Sequence, residues 1–88
     1  MKNIYVVYEI VSKDFQMLNN YNSICNVLKI FDNEDKALNY VNNELSFQCN
    51  DNEGWFYNTK IMDDMEINSV YYNEDWQYDI VLQEMKVE

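Results

Sequence analysis

The chain opens with a run of β-branched and aromatic residues from Ile4 to Val11. Apolar side chains occupy both alternations of this run, which is typical of a central strand rather than of an edge strand. A second run, from Ile24 to Phe31, follows an asparagine-rich polar link and predicts a strand that pairs antiparallel with the first. Either of two sets of side chains on this second strand could face the core. They are Ile24, Leu28 and Ile30 or, on the opposite face, Cys25, Val27 and Phe31.

A single helical pattern comes after the strand pair. Asp32 is placed to cap its N-terminus, and acidic residues in the first turn suit the positive end of the helix dipole. Apolar residues then recur at three- and four-residue spacing and form one stripe, made of Ala37, Leu38, Val41 and Leu45 with Tyr40 beside them. We expect one amphipathic helix that ends near Ser46 or Phe47, followed by a loop over residues 48–54.

Three further β-like runs complete the chain: Trp55 to Met62, Ile67 to Tyr72, and Trp76 to Val87. The links between them, residues 63–66 and 73–75, are polar and of hairpin length. The last run alternates, with Trp76, Tyr78, Ile80 and Leu82 on one face. The order β-β-α-β-β-β predicts an α+β fold in which an antiparallel sheet of four to five strands carries one helix on one face. At 88 residues, we expect residues 1–88 to form a single domain.

The residue types that are missing argue against catalysis. The sequence has no His and no Arg, which removes the commonest general base and the bidentate anion clamp. Gly54 is the only glycine, so no glycine-rich phosphate loop is present. Aligning Gly54 with the glycine of a calcium-binding EF-hand loop places Cys49 and Lys60 at positions that require carboxylates. We predict no enzyme activity, no cofactor and no metal site.

The charge is strongly negative and unevenly spread. Sixteen acids against six lysines give a net charge of −10, and residues 49–88 hold most of the excess. One interpretation is that the charge only keeps a tyrosine-rich domain soluble. The other is that it imitates nucleic acid at a basic surface. On the second interpretation, acids lie at the two ends of the predicted strand Ile67 to Tyr72, about 20 Å apart, with a further acid between them. These are Asp63, Asp64 and Glu66 at one end, Glu74 and Asp75 at the other, and Asp79 between.

Aromatic residues crowd the same part of the chain. Tyr and Trp are common anchors of protein interfaces, and Tyr71, Tyr72 and Trp76 are the candidates here. Because one helix covers one sheet face, we expect some rings to fill the core and others to stay exposed. The expected core set is Trp76, Tyr78, Ile80 and Leu82, with Tyr57 and Tyr72 nearer the surface. Without a basic groove beside them, these rings do not predict direct binding of nucleic acid.

Three segments, Ile4–Tyr8, Val27–Asp32 and Asp35–Val41, resemble a pattern of small phage and bacterial proteins of unknown function. That resemblance covers residues 4–45 and implies a fold more than a biochemical function. The bias towards Asn, Lys, Ile and Tyr is typical of an AT-rich genome. In size and charge the chain is also similar to the inhibitors that phages use against host defence, including anti-CRISPR proteins and DNA-mimicking anti-restriction proteins.

The leading hypothesis is a stoichiometric inhibitor that binds the basic, nucleic-acid-binding surface of a host protein, with a CRISPR effector as the specific target. The acids and aromatics named above would form its partner-binding site. The apolar runs are too short for a membrane span, and the N-terminus lacks the pattern of a signal peptide, so we expect a cytoplasmic protein without membrane contact. The alternative is an interaction module that homodimerises through an exposed sheet edge or aromatic face.

Overall fold

A computed structural model describes residues 2–13, 22–51, 54–72 and 76–87. Its elements follow the predicted order β-β-α-β-β-β. They are β1 (Lys2–Lys13), β2 (Asn22–Phe31), α1 (Glu34–Ser46), a π-helical segment (Phe47–Asp51), β3 (Trp55–Met62), β4 (Met65–Tyr72) and β5 (Trp76–Val87). None of the described helices is both long enough and apolar enough to cross a membrane.

All five strands join one antiparallel sheet in the order β2-β1-β5-β4-β3. The predicted fold class is therefore confirmed. β1 pairs with a strand on each side, as its two apolar alternations indicated, whereas β2 and β3 are the edges. The centre of the sheet is β5, which pairs along its whole length with β1.

Neither of the two inward sets proposed for β2 is the observed one. The β1–β2 register shifts between Val7, which pairs with Lys29, and Tyr8, which pairs with Val27. Leu28 is left as an extra residue, so the alternation of side chains changes at this bulge. As a result Leu28 and Phe31 both pack against the core, while Val27 and Ile30 are 62% and 57% exposed.

The helix agrees with its predicted apolar stripe and its predicted end. Ala37 and Val41 are fully buried. The predicted N-cap is wrong by one residue, because the Asn33 side chain, and not Asp32, accepts the Lys36 backbone N–H at 3.1 Å. Asn33 has the extended backbone that an N-cap needs. After α1 the chain continues as the π-helical segment, where a loop was predicted.

α1 packs mainly across β1, β2 and β5 and encloses the core against one face of the sheet. The buried cluster consists of Val7, Ala37, Val41, Val70, Tyr78, Ile80 and Leu82. The prediction that β5 points Tyr78, Ile80 and Leu82 into the core is confirmed. The same prediction is wrong for Trp76, which is 41% exposed. Trp76 is the first residue of β5 and lies outside the cluster that α1 covers.

Side chains on the sheet alternate between two faces, which we call the helix face and the helix-less face. Val7 of β1 and Ile80 of β5 define the helix face, since both belong to the cluster around α1. The alternate residues of these two strands point the other way. The described part of the chain places no helix over that second face.

Candidate interaction site: an acidic groove

A two-residue turn brings the first predicted acids together. Met62 pairs with Met65, so Asp63 and Asp64 alone close the β3–β4 hairpin. Asp63 has a positive φ of 37°, a conformation that aspartate tolerates better than most residues. β4 begins at Met65, two residues earlier than predicted, and Glu66 is therefore a strand residue. The Glu84 backbone N–H donates to the Asp64 carbonyl oxygen at 2.9 Å and ties this turn to β5.

A groove of about 210 Å³ lies between the first turns of α1 and this hairpin. We call it the acidic groove. It is lined by five acidic residues, Glu34, Asp63, Asp64, Glu66 and Glu84, and by five less polar residues, Tyr5, Leu38, Ile61, Met65 and Leu82. Three of the carboxylates, Glu34, Asp63 and Asp64, are exposed. Leu82 is buried and Leu38 is half-buried, which gives the groove an apolar wall beside its acidic rim.

Two carboxylates of the acidic groove accept hydrogen bonds from neutral amide groups. Glu84 Oε1 accepts from Asn3 Nδ2 at 2.6 Å, and Glu66 Oε1 accepts a long hydrogen bond from Asn68 Nδ2 at 3.5 Å. Among the described residues, no lysine lines the groove. The described acids and thiols also form no group of three or more that could hold a metal ion. The groove is therefore a local concentration of negative charge.

The structure brings together Asp63, Asp64 and Glu66 but not Asp79. Asp79 points to the helix-less face and is 8% exposed, with both of its carboxylate oxygens accepting from Gln77 Nε2 at 3.0 and 3.1 Å. It lies on the other side of the sheet from Glu66, so these two carboxylates do not share a surface. Glu74 and Asp75, the second predicted pole, lie outside the described residues.

Glu34 and Glu84 also line the groove but were not predicted from the sequence. Glu84 follows Leu82 by two residues on the same strand, so the alternation of β5 carries a signal that it shares the face of Leu82. No sequence pattern places Glu34 on the same surface as these residues. Its position in the groove depends on how α1 crosses the sheet, which the sequence pattern does not specify.

The three predicted aromatic anchors do not form one patch. Tyr71 and Tyr72 are consecutive in β4 and point to opposite faces. The Tyr72 hydroxyl donates to Gln48 Oε1, and its ring meets Tyr78 edge-on at 6.4 Å between centroids. Tyr72 therefore belongs to the packing around the core, whereas Trp76 remains partly exposed at the end of β5.

Two tyrosines in this packing have strongly perturbed acidity. Burial raises the pKa of Tyr78 far above its usual value, and the hydrogen bond that its hydroxyl donates to Glu9 Oε2 at 2.5 Å raises it further. Burial also raises the pKa of Tyr72 to about 12, helped by the nearby Cys49 and Glu44. Both phenols stay protonated at neutral pH and serve as hydrogen-bond donors.

In comparisons with protein-family models, curated proteins and solved structures, the chain matches none of them. The geometry and charge of the acidic groove are thus the basis for a functional proposal. These features describe a small α+β protein with an acidic groove on the helix side of its sheet.

Proposed function

We propose that this protein is a stoichiometric inhibitor that binds the basic, nucleic-acid-binding surface of another protein through the acidic groove. The single observation that carries the proposal is the convergence of five carboxylates from α1, the β3–β4 hairpin and β5 on one groove that no described lysine lines. No catalytic step is required.

The composition of the acidic groove favours a lysine or arginine side chain as the group that enters it. Such side chains carry a long apolar stem below a charged head. The stem fits against Leu38 and Leu82, and the head meets the carboxylates at the rim. A phosphate group, by contrast, would meet only negative charge, so the partner is a basic protein and not nucleic acid itself.

Proteins that bind nucleic acid display the complementary surface, because clusters of Lys and Arg neutralise the phosphate backbone. Carboxylates of the acidic groove would take the place of those phosphates. RNA-guided nucleases hold their heteroduplex in a positively charged channel. A defence nuclease of this kind, a CRISPR effector in particular, is the target class that we propose.

The contribution of each groove carboxylate to the binding free energy depends on how exposed that carboxylate is to solvent. Ion pairs with solvent-exposed carboxylates contribute about 0.2–1 kcal/mol each. Asp63 and Asp64 are exposed and Glu66 is half-buried. Neutralising all three, by Asp63→Asn, Asp64→Asn and Glu66→Gln, should therefore weaken binding by about 0.6–3 kcal/mol, or roughly 3- to 150-fold. Asn keeps the left-handed turn at position 63, so the hairpin should be preserved.

The test is a pulldown from a bacterial lysate with the tagged wild-type protein, washed at low and at high salt. The control variant carries Asp35→Asn, Glu44→Gln and Asp51→Asn, which change the net charge equally but lie outside the groove. A basic nucleic-acid-binding protein should be retained at low salt by the wild type and the control, and lost by the groove variant. Equal retention by all three proteins would mean that the groove is not the binding site.

A further inference from the structure

A second groove opens where the sheet steps back at the end of β2. The last pair between β1 and β2 is Tyr5–Phe31, whereas β1 stays paired with β5 as far as Lys2–Val87. Residues 2–4 of β1 therefore have a paired strand on one side only. The chain leaves β2 after Phe31 and enters α1, so β2 does not extend over this stretch of β1.

An open groove of about 660 Å³ occupies this step, a volume within the range of small-molecule sites. We call it the step groove. It is lined by four apolar residues, two lysines and one acid: Ile4, Ile30, Phe31, Val87, Lys2, Lys36 and Asp32. None of these residues lines the acidic groove. The lining has the composition of a ligand site, which is mostly apolar with a few charged groups.

The apolar wall of the step groove is open to solvent in the single chain. Ile30 and Val87 are 57% and 44% exposed, and Ile4 and Phe31 are half-buried. The Phe31 ring is held from behind by Tyr40, with 5.6 Å between the ring centroids. An apolar group that enters the groove would therefore remove water from surface that the chain itself leaves uncovered.

The charge of the step groove is opposite to that of the chain as a whole. Lys2 and Lys36 against Asp32 make its lining positive, on a chain of net charge −10. Both lysines are exposed, and among the described residues neither ammonium group has an ion-pair partner. The step groove thus combines positive charge with open apolar surface.

We infer that the step groove binds one amphipathic anion, an acyl chain that ends in a carboxylate. The acyl chain would lie on Ile4, Ile30 and Val87, where burial of its methylene groups stabilises the complex. The carboxylate would meet the ammonium groups of Lys2 and Lys36 in charge-assisted hydrogen bonds, while the lysine stems pack on the acyl chain. A membrane surface is a poor alternative, because anionic lipid repels a protein of net charge −10.

This inference does not rest on the proposed function, because the two grooves share no lining residue. The test is a titration of isotope-labelled protein with dodecanoate below its micelle concentration, followed by the amide chemical shifts in NMR spectra. Dodecanoate should bind saturably, with the largest shifts in residues 2–4 and 30–36 and at Val87. Acetate, which has the head group without the chain, should bind at least tenfold more weakly, since burial of about two methylene groups gives that factor.

Variants separate the two parts of the site. Lys2→Gln with Lys36→Gln should weaken dodecanoate binding about 2- to 30-fold, as expected for two exposed ion pairs. The control Lys60→Glu lowers the net charge equally, lies on β3 outside the groove, and should bind like the wild type. Ile30→Ser should weaken binding about threefold through lost apolar contact, whereas Val27→Ser, at a 62% exposed position of the same strand, should not.

Three results would overturn the inference: no saturable binding of dodecanoate, shifts spread over the whole sheet, or a double lysine variant that binds as tightly as the Lys60→Glu control. Dodecyltrimethylammonium has a long chain with a positive head group. Equal binding of this probe at the same amides would also overturn the inference, because the lysines would then not select the head group. Amide spectra recorded before each titration establish that every variant is folded.

Discussion

Gly54 occupies a position where no side chain fits. A Cβ atom there would lie 2.6 Å from Val70 Cγ1, 2.8 Å from the Gln48 carbonyl oxygen and 2.8 Å from Tyr72 Cε1. The three neighbours are hard to displace. Val70 is fully buried, and the Gln48 oxygen already accepts the Gly54 N–H at 2.8 Å. Gly54→Ala should therefore destabilise the folded state, although its backbone has no positive φ.

The size of the effect follows from two opposing contributions. Overpacking of a filled core costs about 1–3 kcal/mol, and three contacts place this site at the upper end. Replacing Gly by Ala restricts the unfolded chain and offsets about 0.4–1 kcal/mol. The expected net loss is about 2 kcal/mol, which lowers the melting temperature by roughly 8–16 °C in a domain of this size.

Thermal unfolding followed by circular dichroism measures this loss. Asn39→Ala, at an exposed position of α1, should change stability by less than about 0.5 kcal/mol and serves as the control. In a Val70→Ala background, Gly54→Ala should cost less, because one of the three contacts is relieved. A Gly54→Ala protein that melts within about 2 °C of the wild type would refute the close approach of the π-helical segment to β4.

The remaining predictions concern Tyr78, which is buried, and Tyr72, which is half-buried. Among the described residues, Tyr78→Phe leaves the half-buried Glu9 carboxylate with the Asn26 amide as its side-chain donor, at 3.3 Å, and should cost about 1.5–3 kcal/mol in urea unfolding. Adding Glu9→Gln should recover part of this loss, and full additivity would contradict the pairing. Because the folded-state pKa of Tyr72 is raised to about 12 from 10, its stabilising contribution is complete below pH 10 and is lost as the pH rises towards 12. Tyr78 adds a loss over the same range, and Tyr72→Phe should flatten the alkaline decline in melting temperature; an unchanged decline would contradict the assignment.

The sequence predicted those parts of the fold that depend on local periodicity. The apolar stripe of α1 and the three C-terminal β-like runs each carry their own signal, and the structure confirms them. The inward set of β2 was not predictable, because a bulge opposite Val7 and Tyr8 breaks the two-residue alternation on which the prediction depended. A bulge has no sequence signature here, since no glycine marks it.

The candidate site was predictable only where neighbours in sequence are neighbours in space. Asp63, Asp64 and Glu66 share one hairpin and were found together. Glu34 joins them because of the way α1 crosses the sheet, which is a tertiary property. Asp79 does not join them, because it lies on the opposite face of β5 from Ile80 and Leu82, as the alternation of that strand indicates.

The central claim is that the acidic groove occupies the nucleic-acid-binding surface of a partner. The most direct measurement is a competition titration: the partner captured in the pulldown is bound to a labelled nucleic acid, and the protein is added at fixed salt. The proposal predicts displacement that is complete at about one acidic groove per partner site, with the Asp63→Asn, Asp64→Asn, Glu66→Gln variant much weaker and the charge-matched control unchanged. Nucleic acid that stays bound at saturating protein, or equal displacement by both variants, would contradict the proposal.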